Sequence, residues 1–256
     1  MTDEVSVQAN SAVYYEKRYS GWGLKYHKVI VDWMMEGIWP DQKVLDAGCG
    51  TGIISRLYPN YMIAGMDISP EMVSRCPVKW IYFYDKNNVP SATWMRLHVT
   101  GDVCLKSITA DETTDAIVCR SLLHHLPDHK LALAEFHRVL KPGGKLVCWE
   151  PSSSWLVERV RNFTQHGDRF SHVHHSFKPC QIVKDLEESG FKVEEIRHMG
   201  FLAYPLWGFR DIIDFQKYVP FKPILFPLTM ALDYLLESIP WLNRMSWAVG
   251  IRATKV

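Results

Sequence analysis

This sequence predicts an α/β fold in which a mostly parallel, seven-stranded sheet carries helices on both faces, and three observations lead there. First, the stretch VLDAGCGTG, Val44 to Gly52, runs from an apolar strand into a turn with glycines at alternate positions 48, 50 and 52. Such a turn has no room for side chains, so backbone approaches a ligand closely. Second, apolar runs of strand length alternate with helical patterns along the chain, which implies parallel strands joined by helices. Third, Asp67 ends the second apolar run, 21 residues beyond Asp46. A carboxylate at the carboxyl end of the neighbouring parallel strand can accept from both hydroxyls of a ribose, the alternative being a helix-capping or solvent-facing role.

Composition bounds the reading. A chain of 256 residues with 47% apolar and 22% charged residues is ordinary for a globular domain able to bury a sizeable core. The formal charge of +1 leaves no basic field of the kind that supplies most non-specific nucleic-acid affinity, so no nucleic-acid partner is expected. Six cysteines, scattered without a CxxC pair, read as reduced thiols of a cytoplasmic protein. The first residues have neither an apolar run behind a basic start nor an Arg-rich, acid-poor character, so no targeting peptide is expected.

In order along the chain, residues 1–11 are polar. From Ala12 to Met35 aromatic and aliphatic residues recur at helical spacing, interrupted by Gly21 and Gly23, which predicts two helices forming a cap over residues 12–39. Strand 1 is Lys43 to Ala47, with a helix from about Thr51. Strand 2 is Tyr61 to Met66, followed by Ser69 as a helix cap and Pro70 at the first helical position. Residues 76–93 exceed what a helix-to-strand link needs and are expected at the sheet edge opposite the site. Strand 3 is Trp94 to Thr100 and strand 4 Asp115 to Cys119. A helix from Lys130 to Leu140, ended by Pro142, Gly143 and Gly144, precedes strand 5, Lys145 to Trp149. A helix from Gln181 to Ser189, ended by Gly190, precedes strand 6, Phe191 to His198, and Ser246 to Thr254 closes the sheet as strand 7.

The loop also indicates the ligand's charge. Asp46 would repel a pyrophosphate and attract an ammonium or a sulfonium, and the glycine spacing fails the dinucleotide fingerprint, whose third glycine falls one residue later. Asp46, Gly48, Gly50 and Gly52 after an apolar strand resemble the first motif of the class I S-adenosylmethionine-dependent methyltransferases. The resemblance continues at family spacing through Asp67, Asp102 and LKPGGKLV, Leu140 to Val147, and covers roughly residues 40 to 200. It implies a single Rossmann-like domain with S-adenosylmethionine as cofactor and an antiparallel last strand. It places the cofactor against Tyr19, against Asp46, Ala47, Gly48, Cys49 and Gly50 of the loop, and against Asp67, Ile68 and Met72. Asp102 becomes the acceptor for the adenine amino group, with the amide of Val103 beside it, and Arg120 and Ser121 follow strand 4. Arg120 reads as binding the cofactor's carboxylate or an acidic acceptor, or as pointing to solvent. Tyr14, Tyr15 and Tyr19 are candidate covers in a leader that often closes over the cofactor in this family; the alternative is burial against the sheet.

The acceptor is less legible. His125, beside His124 in SLLHHLPD, and His174 and His175, in a cluster with His166 and His172, are the candidate bases, with packing or a solvated loop as the alternative. HxHH matches no settled zinc spacing, so no metal is expected. Glu150 at the mouth of strand 5 reads as a base, an acceptor anchor or a cap. The Asn/Asp-Pro-Pro-aromatic tetrapeptide of nucleic-acid amino methyltransferases is missing, with Cys119, Arg120, Ser121 and Leu122 in its place. Family members join strands 6 and 7 by a short turn, whereas residues 200–245 intervene here. Phe221, Leu225, Leu228, Leu232, Leu235, Leu236 and Ile239 share one helical stripe in that insertion, too short for the roughly 20 residues of a spanning helix. A lid over an apolar acceptor, a membrane-surface contact through 221–239, and a packed amphipathic helix remain open. The expected activity is methyl transfer to an O, N or C atom of a small or medium apolar metabolite: a polyketide, terpenoid, quinone or lipid-linked compound. The alternatives are a protein or RNA methyltransferase and a catalytically silent cofactor-binding module.

Overall fold

Lys43–Ala47 (β1) lies near the middle of a seven-stranded sheet, hydrogen-bonded in parallel to Met62–Asp67 (β2) on one side and Thr114–Arg120 (β4) on the other. The computed structural model describes residues 12, 15–77, 97–104, 110–153, 157–159, 177–208 and 214–256. Leu97–Thr100 (β3) pairs with β2, and Leu140–Pro151 (β5) with β4, both in parallel. Phe191–Met199 (β6) and Ala248–Lys255 (β7) complete the order β3-β2-β1-β4-β5-β7-β6, with β7 antiparallel to both its neighbours. The chain winds one way from β1 to β3 and the other way from β4, so a ligand crevice opens where the order reverses, at the carboxyl ends of β1 and β4.

Alternation along each strand builds two cores. Leu45, Ala47, Ile117, Cys119, Leu146 and Cys148 face one side, where they meet Leu133 and Phe136 of helix His129–Val139 and Ile182 and Leu186 of helix Pro179–Glu188. Val44, Ala116, Val118, Val147 and Trp149 face the other, against Ile30, Val31, Met34 and Met35 of helix Gly21–Met35. In chain order the helices are α1 (Gly21–Met35), α2 (Ile53–Leu57), α3 (Pro70–Ser74), α4 (His129–Val139), α5 (Pro179–Glu188) and α6 (Lys222–Glu237). Strands buried on both faces read as unbroken apolar runs, and full burial of each large aliphatic side chain contributes about 1.5–3 kcal/mol.

Several boundaries differ from the sequence expectation by a residue or two, and three differences have a physical reason in the backbone. The leader's break falls at Tyr19 and Ser20, and Gly21 and Gly23 begin α1 rather than interrupt it. Helix α2 starts at Ile53, because Gly52 at φ 74° is the left-handed residue ahead of it. Pro142, Gly143 and Gly144 form no turn between helix and strand. Chain extension begins at Leu140, and the three residues lie inside β5 as a bulge where the register with β4 shifts between Thr114 and Ala116. Gly143 there adopts φ 73°, and a Cβ at Gly144 would stand 2.8 Å from the carbonyl oxygen of Lys141. Residues 78–93, and the start of the expected third strand at 94–96, lie outside the described residues.

Between β6 and β7 the insertion folds as a π-type turn at Tyr204–Gly208, a short helical turn at Phe215–Lys217, helix α6 and a last turn at Leu242–Met245. Asp233 of α6 is buried and accepts from the amides of Leu202 (2.7 Å) and Ala203 (3.1 Å), while Arg197 Nε of β6 donates to Glu237 at 2.8 Å. Leu225, Phe226 and Met230 pack inward, and Phe221, Ile224, Leu228 and Leu235 are exposed. Among the described residues no helix is long and apolar enough to cross a membrane.

Candidate active site

A cavity of about 390 Å³ opens at the carboxyl ends of β1, β2 and β4. Its floor is the glycine loop. Gly48 and Cys49 donate their amides to the carbonyl of Met66 at 2.8 and 2.9 Å, which ties the loop to the end of β2. Gly48 sits at φ 69°, where a Cβ would meet Leu122 Cδ1 at 2.8 Å, so only glycine fits. Asp67 bridges loop and helix: one carboxylate oxygen accepts from the amide of Gly50 (2.8 Å), the other from that of Ser69 (2.9 Å). Asp102 accepts from the amide of Cys104 at 2.9 Å, and Val103 is buried beside it.

Asp46 is buried, and its Oδ2 has no hydrogen-bond partner among the described residues. Burial pushes its carboxyl up to about 7. An orphaned acceptor facing a cavity is costly unless a ligand donor meets it. Behind the loop, a hydrogen bond from Cys49 and then the neighbouring His98 push the Cys76 thiol down to about 6, against the effect of burial.

The opposite wall is cationic. Arg120, at the end of β4, borders the cavity with its guanidinium 5.0 Å from the centre of the Tyr19 ring and Nη1 3.1 Å from His27 Nδ1. His27 Nε2 lies 3.3 Å from the carbonyl oxygen of Gly208, which requires a proton on Nε2 and leaves Nδ1 to accept from Arg120. Burial, then the charge of Arg18, lowers His27 to about 3, so the imidazole is neutral. Among the described residues no carboxylate lies within ion-pair distance of Arg120, although burial lowers it only to about 10, where it remains cationic at neutral pH.

On the acceptor side the next turn holds both histidines. Glu150 is fully buried and accepts from the amides of Leu122 and Leu123, each at 2.9 Å, and from His124 Nδ1 at 2.7 Å. Glu150 is therefore the cap of this turn, and burial pushes its carboxyl up to about 7. His124 is held away from the cavity, while His125, its ring 4.0 Å from that of His124, borders it. Tyr15, Leu126, Leu131, Trp149 and Tyr204 make the surrounding wall apolar and aromatic.

Residues 28–196 match a family model described as a methyltransferase domain. The chain belongs to the class I S-adenosylmethionine-dependent methyltransferases. Relatives of this methyltransferase include the demethylmenaquinone methyltransferase of Lactiplantibacillus plantarum, 33% identical over 184 residues, 62% of this chain and 74% of that one. The ubiquinone biosynthesis O-methyltransferase of Idiomarina loihiensis is 25% identical over 179 residues, 66% of this chain and 68% of that one. Among solved structures, a possible histamine N-methyltransferase of Thermotoga maritima superposes with a TM-score of 0.61 at 16% identity, covering 98% of this chain and 99% of that one. Magnesium protoporphyrin IX methyltransferase of Synechocystis, with bound S-adenosylhomocysteine, gives 0.57 at 16% identity over 94% and 93% of the two chains. At such identities these two likenesses show the fold alone.

The residues present fit the methyltransferase's cofactor, S-adenosylmethionine. The unpartnered Asp46 oxygen suits its cationic groups, Arg120 without a carboxylate suits its carboxylate, and the glycine cradle admits a backbone-tight ligand. The structure brings Tyr19, Asp46, Gly48, Cys49, Gly50, Asp67, Ile68, Met72, Asp102, Val103, Arg120, Ser121 and His125 to one cavity. Ala47 does not border it: one step along β1 from Asp46, its side chain turns into the core beside Leu45. The solvent reading of Arg120 is also overturned, because the side chain points at His27 and Tyr19. His166, His172, His174 and His175, and Tyr14, lie outside the described residues. Arg18, His27, Trp149 and Tyr204 were missed. His27 carried a signal, since a polar residue beside Tyr26 on the buried stripe of α1 needs a partner.

Proposed function

We propose that this methyltransferase methylates a small or medium apolar acceptor of the quinone or phenol type, at a hydroxyl oxygen or ring carbon. The observation that carries this reading is the wall of Leu126, Leu131, Trp149 and Tyr204 beside the imidazole of His125, the other described imidazole at the cavity, His27, being engaged by Gly208 and Arg120. The two named relatives act in menaquinone and ubiquinone biosynthesis, which favours the same class. S-adenosylmethionine supplies a methyl group already activated by its sulfonium. The chain's own work is to align the acceptor, exclude water and take up a proton. Tyr15 and Tyr19 from the leader and Tyr204 from the insertion border the cavity that the glycine loop also lines. Of the three candidate bases, His125, His174 and His175, we assign the proton to His125, the one among the described residues, which borders the cavity.

The same reading accounts for the outer face of α6 as a peripheral membrane contact. Tyr218, Phe221, Ile224, Leu228, Tyr234, Leu235 and Trp241 are exposed there, Leu228 at 59% and Leu235 at 60%. Lys217 and Lys222 accompany them, while the acids of α6, Asp233 and Glu237, turn inward to Leu202, Ala203 and Arg197. Apolar residues with lysines and no outward acid suit an anionic lipid surface, where a prenylated acceptor resides.

Transfer of labelled methyl from the cofactor into a lipid extract tests the proposal. Label entering the organic phase, with His125→Ala slowing transfer at least tenfold, is the expected result. Label precipitating with protein or RNA, or cofactor binding without any labelled product, contradicts it.

A further inference from the structure

Beneath the glycine loop, three groups far apart in sequence converge. Cys49 lies in the loop itself, Cys76 just beyond α3, and His98 in β3. One ligand atom from each lies within 4.8 Å of the other two, and all three residues are buried. Two glycines make room for them. A Cβ at Gly65 would stand 2.4 Å from His98 Cδ2 and 3.0 Å from Cys49 Sγ, and one at Gly52 would stand 3.0 Å from Cys76 Sγ. Ser55 Oγ, 3.1 Å from His98 Nε2, orients the imidazole, as an outer hydrogen bond orients a ligating histidine.

We propose that Cys49, Cys76 and His98 form a binding site for one thiophilic divalent cation of the zinc type. Two sulfurs and an imidazole, with no oxygen ligand among them, select zinc-like ions over magnesium or calcium. Each thiol releases its proton as its sulfur bonds to the ion, so charge balances as the divalent cation replaces two protons. Three protein ligands leave a fourth position. The site takes no part in the methyl transfer itself, although Cys49 also borders the cofactor cavity. Its effect is to clip the cofactor loop, through Cys49, to the end of α3 and to β3, so that the loop is held whether or not cofactor is present.

Cobalt(II), a spectroscopic stand-in for zinc, tests the site without any methyl acceptor, so the result is independent of the acceptor reading. The full chain, reduced and stripped by a chelator, is titrated with cobalt. One equivalent should bind with a thiolate-to-metal charge-transfer absorption, and zinc should displace it. Cys76→Ser should lose that absorption and bind zinc at least tenfold more weakly, whereas Cys180→Ser, at an exposed thiol, should change neither. If circular dichroism shows Cys76→Ser unfolded, His98→Asn takes its place; with both thiolates kept it should bind cobalt and zinc at least tenfold more weakly, so that one equivalent no longer gives the full band. No charge-transfer band in the natural chain, or a full band surviving both Cys76→Ser and His98→Asn, overturns the proposal.

Discussion

Two carboxylates, Asp46 and Asp67, stand at the ends of β1 and β2, and we propose that they divide the work of holding the cofactor. Asp67 accepts from the amides of Gly50 and Ser69 and borders the cavity, and we propose that it also accepts from the ribose hydroxyls. Asp67→Ala should raise the cofactor dissociation constant tenfold or more, as about 1.5–3 kcal/mol is usual for a charge-assisted hydrogen bond; calorimetric titration measures it, and unchanged binding removes the ribose role. Asp46 is tuned differently, its carboxyl raised to about 7 by burial. Its folded-state value lies above the unfolded value of about 3.9, so in the free protein the stability it contributes is full below pH 4 and lost as pH rises through 7. A cation in the cavity reverses the preference by favouring the carboxylate. Cofactor affinity should therefore fall as pH drops from 8 to 6, and Asp46→Asn should flatten that dependence. A wild-type profile as flat as that of the variant would show that Asp46 does not titrate against the ligand.

Short elements do the positioning. The turn after β4 is held by Glu150 of β5, which accepts from two amides and His124 and so sets where His125 stands. The π-type turn at Tyr204–Gly208 supplies a wall residue and the carbonyl that fixes the tautomer of His27, hence the place of Arg120. Helix α6, by contrast, contributes no side chain to the cavity among the described residues, and its apolar outer face is open. Leu228→Glu with Leu235→Glu should leave cofactor affinity unchanged and weaken sedimentation with phosphatidylglycerol vesicles at least tenfold, since burying each leucine contributes about 1.5–3 kcal/mol. Equal sedimentation of both proteins would remove the membrane contact; loss of a dimer in the variant, seen by analytical ultracentrifugation, would reassign the face to a second copy.

At the scale of the whole molecule, the sheet was legible wherever a strand is buried on both faces, because Val44–Leu45, Ile117–Cys119 and Leu146–Trp149 are apolar without interruption. The cofactor half of the cavity was legible through glycine spacing and carboxylates at strand ends, both local patterns. Pro142–Gly144 was misread because the same residues that stop a helix also build a bulge, and only pairing with β4 distinguishes them. Long-range geometry stayed hidden. Nothing local relates His27 to Gly208, Glu150 to His124, or Cys49 to Cys76 and His98. A crystal structure with S-adenosylhomocysteine tests most directly whether one cavity orders the cofactor between Asp46, Asp67 and Arg120 and turns the methyl position toward the Trp149 and Tyr204 wall. The expected result is ribose hydroxyls at roughly 2.7–3.0 Å from Asp67, the carboxylate toward Arg120, and a sulfur facing His125. A ribose away from Asp67, or a sulfur facing away from that wall, would contradict it.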